Sequence, residues 1–188
     1  MSHGTGEAQN GSRANELILA ALVDGLRIKN RQLNEKCCHA LASMGRDAIK
    51  HIRTVENDRA TQPLYRQRLS AVAALIENTN ACDLPRASTV QAALIEAIRV
   101  YNPTLNRKAL TAIRTLRYGI ADELVRYALM HQKQFGSCTR LLSAVEQLGL
   151  PPDGEARMHL FNLVRHPNSQ IRSLTAKILI QNVPATQV

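Results

Sequence analysis

The sequence predicts an all-α protein, and three observations support this. Apolar residues make up 45% of the 188 residues, which is enough for a buried core. They are rich in Ala, Leu and Ile, with no Trp, two Phe and four Tyr, a composition that is typical neither of a β-sandwich nor of an aromatic-lined ligand pocket. Between short breakers, apolar residues recur at spacings of three and four, which is the period of a buried helical face.

The chain divides into a polar N-terminal tail and ten amphipathic segments. Residues 1–13 contain very few apolar side chains, so we expect a disordered tail there. The segments predicted to be helices are 14–26, 27–44, 46–57, 63–78, 86–101, 103–117, 120–132, 136–149, 153–165 and 168–182. Because the loops are short, consecutive helices are expected to be antiparallel neighbours in one repeat domain, 14–183, with 184–188 as a short C-terminal tail.

The sixth segment, "YNPTLNRKALTAIRTL" from Tyr101, shows how the boundaries are predicted. Asn102 is placed to cap the helix, and Pro103 occupies the first helical position, where its missing N–H costs nothing. Gly119 ends the element. Its buried face is predicted to consist of Leu105, Ala109, Ala112, Ile113 and Leu116.

The second helices of successive pairs share a pattern. "LNEKCCHAL" (33–41) aligns without a gap with "LNRKALTAI" (105–113), and "IRSLTAKIL" (171–179) follows. "QRLSAVAAL" (67–75) and "CTRLLSAVEQL" (138–148) fall between them. Intervals of roughly 30 to 40 residues are typical of stacked helix pairs, since one pair cannot bury its own apolar face.

These residues resemble HEAT repeats, in particular the short bacterial type. In that family the second helix follows a turn with Asp, Asn or Pro and reads Val-Arg-x-x-Ala-Ala-x-Ala-Leu, and "HPNSQIRSLTAKIL" places Ile171 and Arg172 in the Val-Arg positions. Arg68 keeps the same position, whereas Asn106 departs from it. The resemblance covers about residues 14–183 and implies a right-handed α-solenoid of about five HEAT-like helix pairs, an α-α superhelix. It implies a partner-binding surface and no particular partner.

The cysteines and histidines do not indicate a metal or cofactor site. Cys37, Cys38, Cys82 and Cys138 lack metal-ligand spacing and are interpreted as small buried residues in a reducing compartment. The adjacent pair diverges by about 100° on a helix, which disfavours shared coordination. The six histidines are scattered along the chain. We expect no metal, no cofactor and no small-molecule substrate.

Charge is the sequence feature that bears most on function. The net charge is +9 with a pI near 9.9, which favours acidic partners. The five first segments carry eight Lys or Arg and nine Asp or Glu, whereas the five second segments carry thirteen and three. In the HEAT family the second helices line the concave face, so the resemblance implies one basic concave surface. We call its residues the predicted basic face: Arg31, Lys36, Arg66, Arg68, Arg107, Lys108, Arg114, Arg117, Arg140, Arg172 and Lys177.

The alternative interpretation is that these cations have a structural role and bind no partner. Lys and Arg are good helix formers that keep an exposed face in solution. Arg68 and Arg172 occupy the HEAT position whose arginine usually braces the turn of an adjacent repeat.

The predicted function is a non-enzymatic binding or scaffold module whose basic concave face binds an acidic protein partner. The alternative is sequence-independent binding of nucleic acid through its phosphates. A catalytic repeat protein of the alkylation-repair glycosylase type is less favoured, because that class relies on aromatic side chains in its cleft, and only Tyr65 and Phe135 lie in or beside second helices. No nucleotide-binding, metalloprotease or hydrolase motif is present. No apolar run approaches a membrane span, so we expect no membrane insertion and a cytoplasmic location.

Overall fold

The structure, a computed structural model, describes residues 5–78, 86–116, 119–149 and 152–181. These residues form ten α-helices and no strand, which confirms the all-α prediction. The helices are α1 (Thr5–Gly25), α2 (Arg31–Met44), α3 (Arg46–Glu56), α4 (Pro63–Asn78), α5 (Arg86–Arg99), α6 (Pro103–Ile113), α7 (Ile120–Met130), α8 (Phe135–Leu148), α9 (Gly154–Leu163) and α10 (Ser169–Gln181). None of the helices in the described residues is long and apolar enough to cross a membrane.

The predicted start of α6 is confirmed. The Asn102 side chain accepts a hydrogen bond from the Leu105 backbone N–H at 2.9 Å, and Pro103 is the first helical residue. Asn30 caps α2 in the same way, through the Leu33 N–H at 2.9 Å. The second segment therefore begins at Arg31 rather than at residue 27, because the cap completes the helix start there.

The N-terminal end of α1 differs from the prediction. The helix begins at Thr5, so it includes residues 5–13, for which the sequence pattern predicts disorder. Once the apolar segment 14–25 has formed a helix, each residue added at its N-terminus gains one backbone hydrogen bond without a new nucleation cost. The predicted C-terminal tail, 184–188, lies outside the described residues.

The chain forms two compact units. The first consists of residues 1–97 and 102–115, and the second of residues 98–101 and 116–188. In the first unit α1 packs against α2, α3 and α6, while α4 packs against α3 and α2. A stack that followed chain order would place α6 on α4, the second helix of the preceding pair. Its packing on α1 means that this unit is assembled around its first helix.

The crossing of α1 and α2 is unusually close at Gly25. A Cβ atom at this position would lie 2.6 Å from the Sγ atom of Cys37, closer than nonbonded atoms approach. Cys37 is fully buried there, as predicted for a small core residue. The apolar core of this unit includes Leu22, Leu26, Leu33, Leu41, Ile52 and Leu69.

The second unit joins two consecutive helix pairs. α7 packs against α8 and α9, and α10 packs against α8 and α9. The first helices of the two pairs, α7 and α9, thus pack against each other, and so do the second helices, α8 and α10. This is the local packing expected of neighbouring repeats. Gly149 ends α8 in the left-handed region at φ 62°, which a residue with a side chain rarely adopts. The core of this unit includes Ile120, Leu124, Leu141, Leu142 and Leu160.

Candidate binding surface

The charge bias between first and second helices persists with the observed helix bounds. The second helices, α2, α4, α6, α8 and α10, carry nine Lys or Arg and three Asp or Glu. The first helices carry eight and nine. The remaining excess lies on connecting segments, where Arg27, Lys29 and Arg114 are found because α2 starts later and α6 ends earlier than predicted. Arg117 lies outside the described residues.

Arg68 and Arg172 both bind backbone carbonyls. Arg68 reaches the turn of the preceding helix pair, as the structural interpretation expects, whereas Arg172 binds the turn within its own pair. Arg68 donates to the backbone oxygen of Leu26, just beyond the end of α1, at 3.1 Å. Arg172 donates to the backbone oxygens of His166 and Pro167 at 2.9 and 2.7 Å. Hydrogen bonds from a charged donor satisfy carbonyls that have no helical partner. These two side chains therefore have a clear role within the fold.

Arg66 and Arg140 also bind backbone carbonyls. Arg66 donates to the carbonyls of Glu56 and Thr61 at 3.0 and 3.3 Å, across the α3–α4 loop. Arg140 places two guanidinium N–H groups on the Arg99 carbonyl at 2.9 and 2.6 Å. Partial burial and the nearby charge of Arg99 lower the pKa of Arg140.

The lysines of the predicted basic face are paired with carboxylates of the same unit. Lys36 bonds Glu96 at 3.2 Å, and the Glu96 side chain is completely buried. Lys108 pairs with Asp24, and Lys177 lies 3.5 Å from Glu146. The Lys36–Glu96 pair is the most consequential, because a buried carboxylate depends on its partner for compensation.

Arg31, Arg107 and Arg114 remain exposed to solvent. Arg31 pairs with Glu35 at 2.8 Å, one helical turn away, and this hydrogen bond raises the pKa of Arg31. Its side chain is nevertheless 93% exposed. Arg107 makes no side-chain hydrogen bond or ion pair with any described residue. Arg31 and Arg107 therefore have little role in holding the fold together.

A concave surface of the first unit lies between α2 and α4, with a volume of about 650 Å³. We call it the α2–α4 groove. Its apolar lining is Leu26, Ala71, Val72 and Leu75. Its cationic rim is Lys29, Arg31 and Arg68. Leu26 and Val72 are buried at its base, whereas Leu75 keeps 46% of its surface exposed.

Two polar features complete this groove. Lys29 is exposed and makes no hydrogen bond or ion pair with any described residue, so its charge is available. Cys38 also lines the groove. Burial raises the pKa of the Cys38 thiol, so it is protonated at neutral pH and is a poor nucleophile.

A second concavity, in the second unit, is acidic and has a volume of about 380 Å³. Its carboxylates Asp122, Glu123 and Glu155 stand in the first turns of α7 and α9, where they stabilise the helix dipoles. Asp122 also accepts the Asp153 backbone N–H at 2.9 Å. Within the described ranges, no group of three or more His, Cys, Asp or Glu side chains has a geometry that could hold a metal ion.

The two aromatic residues considered for base stacking differ in accessibility. Tyr65 is buried, and its hydroxyl donates to the Val23 carbonyl at 2.7 Å. Phe135 is about half exposed and its ring meets His166 edge to face. Only Phe135 of the two is accessible to a base.

The structure reveals site residues that the sequence pattern did not single out. Glu96 stands inside the run "AALIEAI", and a lone charge within an apolar run was the available signal for a buried ion pair. No sequence pattern marked Lys29 or Leu75 as a site residue, because the groove that they line depends on how two helices pack. Comparison with protein-family models, with curated proteins and with solved structures finds no match to this chain.

Proposed function

We propose that this protein is a non-enzymatic binding or scaffold module of HEAT-like helix pairs that binds an acidic protein partner through cations of its second helices. The observation that carries the proposal is the charge bias of those helices, nine basic residues against three acidic ones. Complementary charge steers encounter with an acidic surface and selects against basic ones.

The distribution of free and bound cations favours a protein partner. Lys36, Arg68 and Arg140 already satisfy carboxylates or carbonyls of the chain itself, as do Arg66, Lys108, Arg172 and Lys177. Tight binding to a nucleic acid backbone relies on many cations that are free to neutralise phosphates. A protein partner needs fewer charges, because apolar contacts contribute to its affinity.

Nucleic acid is the second candidate, and α6 is the observation that favours it. Arg107 has no described partner, the adjacent Lys108 is exposed although it pairs with Asp24, and the helix contains no acidic residue. Such a site would contact duplex phosphates without reading sequence.

Two binding assays on the purified full chain separate the candidates. The first is selection of a random 16-residue phage-displayed peptide library on the immobilised protein. The second is fluorescence anisotropy with a 20-base-pair DNA duplex and the corresponding RNA duplex at several salt concentrations. The proposal predicts enrichment of peptides that are clearly more acidic than the input library, and duplex binding weaker than about 10 µM near physiological salt.

Two kinds of result would contradict the proposal. Micromolar duplex binding with a steep loss of affinity as salt rises would replace the proposal with nucleic-acid binding. Enrichment of neutral or basic peptides, or no enrichment, would refute an acidic protein partner.

A further inference from the structure

We infer that the α2–α4 groove is the docking site for that partner, and that the docked element is an acidic amphipathic helix. The inference rests on the proposed function and adds its location and the form of the ligand. It depends on three features of the groove, namely its length, its apolar lining and its cationic rim.

The length of the groove matches about two helical turns. Along α2 the lining extends from Arg31 to His39, and along α4 from Arg68 to Leu75. At 1.5 Å per residue these stretches are about 12 and 10 Å long. Apolar anchors at positions i, i+3 or i+4, and i+7 of a partner helix span about 10 Å, so three anchors fit within the groove.

The lining offers those anchors an apolar surface that the chain itself leaves uncovered. Leu75 is 46% exposed although it stands beside the buried Val72. Ala71 is exposed on the same helix, and its small side chain leaves room above the groove floor. Burying such a surface provides binding energy in proportion to the apolar area removed from water.

The rim sets the charge of the partner. Lys29 is unpaired among the described residues, and Arg31 projects into solvent beyond its contact with Glu35. Arg68 uses one N–H for the Leu26 carbonyl, and a guanidinium has five. Glu35 is the one acidic residue of the lining and is paired with Arg31. Carboxylates that flank the apolar stripe of a docked helix would meet these cations.

The test uses an enriched acidic peptide from the library, labelled with fluorescein, and three variants of the full chain. Ala71→Glu places a carboxylate inside the groove, and Ala71→Lys fills the same space with the opposite charge. Ala74→Glu is the matched control, because Ala74 is an exposed alanine of α4 outside the groove lining. Circular dichroism and thermal unfolding confirm that all three variants are folded.

We expect Ala71→Glu to lower the affinity at least about tenfold, since it sets like charges against each other. Ala71→Lys is expected to lower it less, and Ala74→Glu to leave it within about twofold. The bound peptide should gain helical circular dichroism, and its apolar residues should recur at spacings of three and four. Equal affinity of the wild type and Ala71→Glu would overturn the groove while leaving the acidic partner of the proposed function intact.

Other occupants give distinct results that also overturn the inference. Concentration-dependent dimerisation in sedimentation velocity that is lost in Ala71→Glu would assign the groove to a second copy of the chain. Competition of the peptide by dodecanoate at submicellar concentration, without enrichment of a helical pattern, would assign it to an anionic amphiphile. Loss of peptide binding in Arg107→Glu but not in Ala71→Glu would move the site to α6.

Discussion

The two contacts between second helices, α2 with α4 and α8 with α10, are formed by similar sequences, but the cations on these helices have different roles. On α8 and α10, Arg140 binds the carbonyl of Arg99, Arg172 binds a carbonyl of the loop before α10, and Lys177 lies beside Glu146. At α2–α4, Arg68 also binds a carbonyl, that of Leu26, but the groove rim adds Lys29, which has no described partner, and the exposed Arg31. A repeated basic pattern therefore does not by itself define a binding face.

The difference has a physical cause. A guanidinium beside a helix end or a loop finds carbonyl oxygens that have no helical partner, and its charge-assisted hydrogen bonds satisfy them. A cation keeps its full charge available for a partner where it binds no such carbonyl or carboxylate. Lys29 meets this condition and Arg140 does not.

The largest effect is expected at Lys36, a cation of α2 that points to Glu96 and not into the groove. Lys36→Met would remove the cation that lies 3.2 Å from the buried Glu96 carboxylate, and we expect the free energy of unfolding to fall by about 3 kcal/mol. Urea unfolding followed by circular dichroism measures this. The double variant Lys36→Met/Glu96→Leu should recover most of the loss, and a double variant no more stable than the single one would show that the pair is not the cause.

A smaller loss is expected at the α1–α2 crossing that supports the groove. Gly25→Ala introduces a Cβ 2.6 Å from the Cys37 Sγ atom, and we expect about 2 kcal/mol of destabilisation. Gly11→Ala, also in α1 but with no atom within 4 Å of its new Cβ, is the matched control and should be neutral or slightly stabilising. The variant Gly25→Ala/Cys37→Ala removes the clashing sulfur. If it were as unstable as Gly25→Ala, the clash would not explain the loss.

The difference between the two regions is tested by substituting one cation that binds a carbonyl, Arg140, and one that has no described partner, Lys29. Arg140→Gln removes two hydrogen bonds to the Arg99 carbonyl, and we expect a loss of about 1 to 2 kcal/mol in unfolding free energy. Lys29→Gln should change the free energy of unfolding by less than about 0.5 kcal/mol, because the Lys29 side chain makes no hydrogen bond or ion pair with any described residue. Thermal unfolding of both variants provides the measurement, and similar losses would remove the distinction between the two regions.

The smallest effect concerns pH. Burial lowers the pKa of His51 below 6.5, and the nearby Asp24 and Glu16 oppose this shift only in part. The unfolded chain therefore binds a proton more readily than the folded one, and stability should fall as pH decreases through about 6.5. His51→Gln should reduce the difference in unfolding free energy between pH 7.5 and 5.5. An unchanged difference would mean that His51 does not contribute to it.

The sequence predicted the helices well because their signals are local. Asn102, Pro103 and Gly149 mark boundaries by their own backbone chemistry, and the structure has α4 at the predicted bounds. The packing of α6 on α1 could not be read from the repeat pattern, since small apolar stripes fit several neighbours. The sequence also could not show which cations bind within the chain, because this depends on whether a carbonyl such as that of Leu26 or Arg99 lies within hydrogen-bond distance.

The most direct test of the account compares two charge reversals, one in each region, with the same acidic peptide. Lys29→Glu changes the groove rim, and Lys177→Glu changes a cation of α10 that lies beside Glu146. Fluorescence anisotropy should show an affinity at least about tenfold lower for Lys29→Glu and within about twofold of the wild type for Lys177→Glu. Equal losses in the two variants would mean that the peptide responds only to net charge, which would contradict a site in the α2–α4 groove.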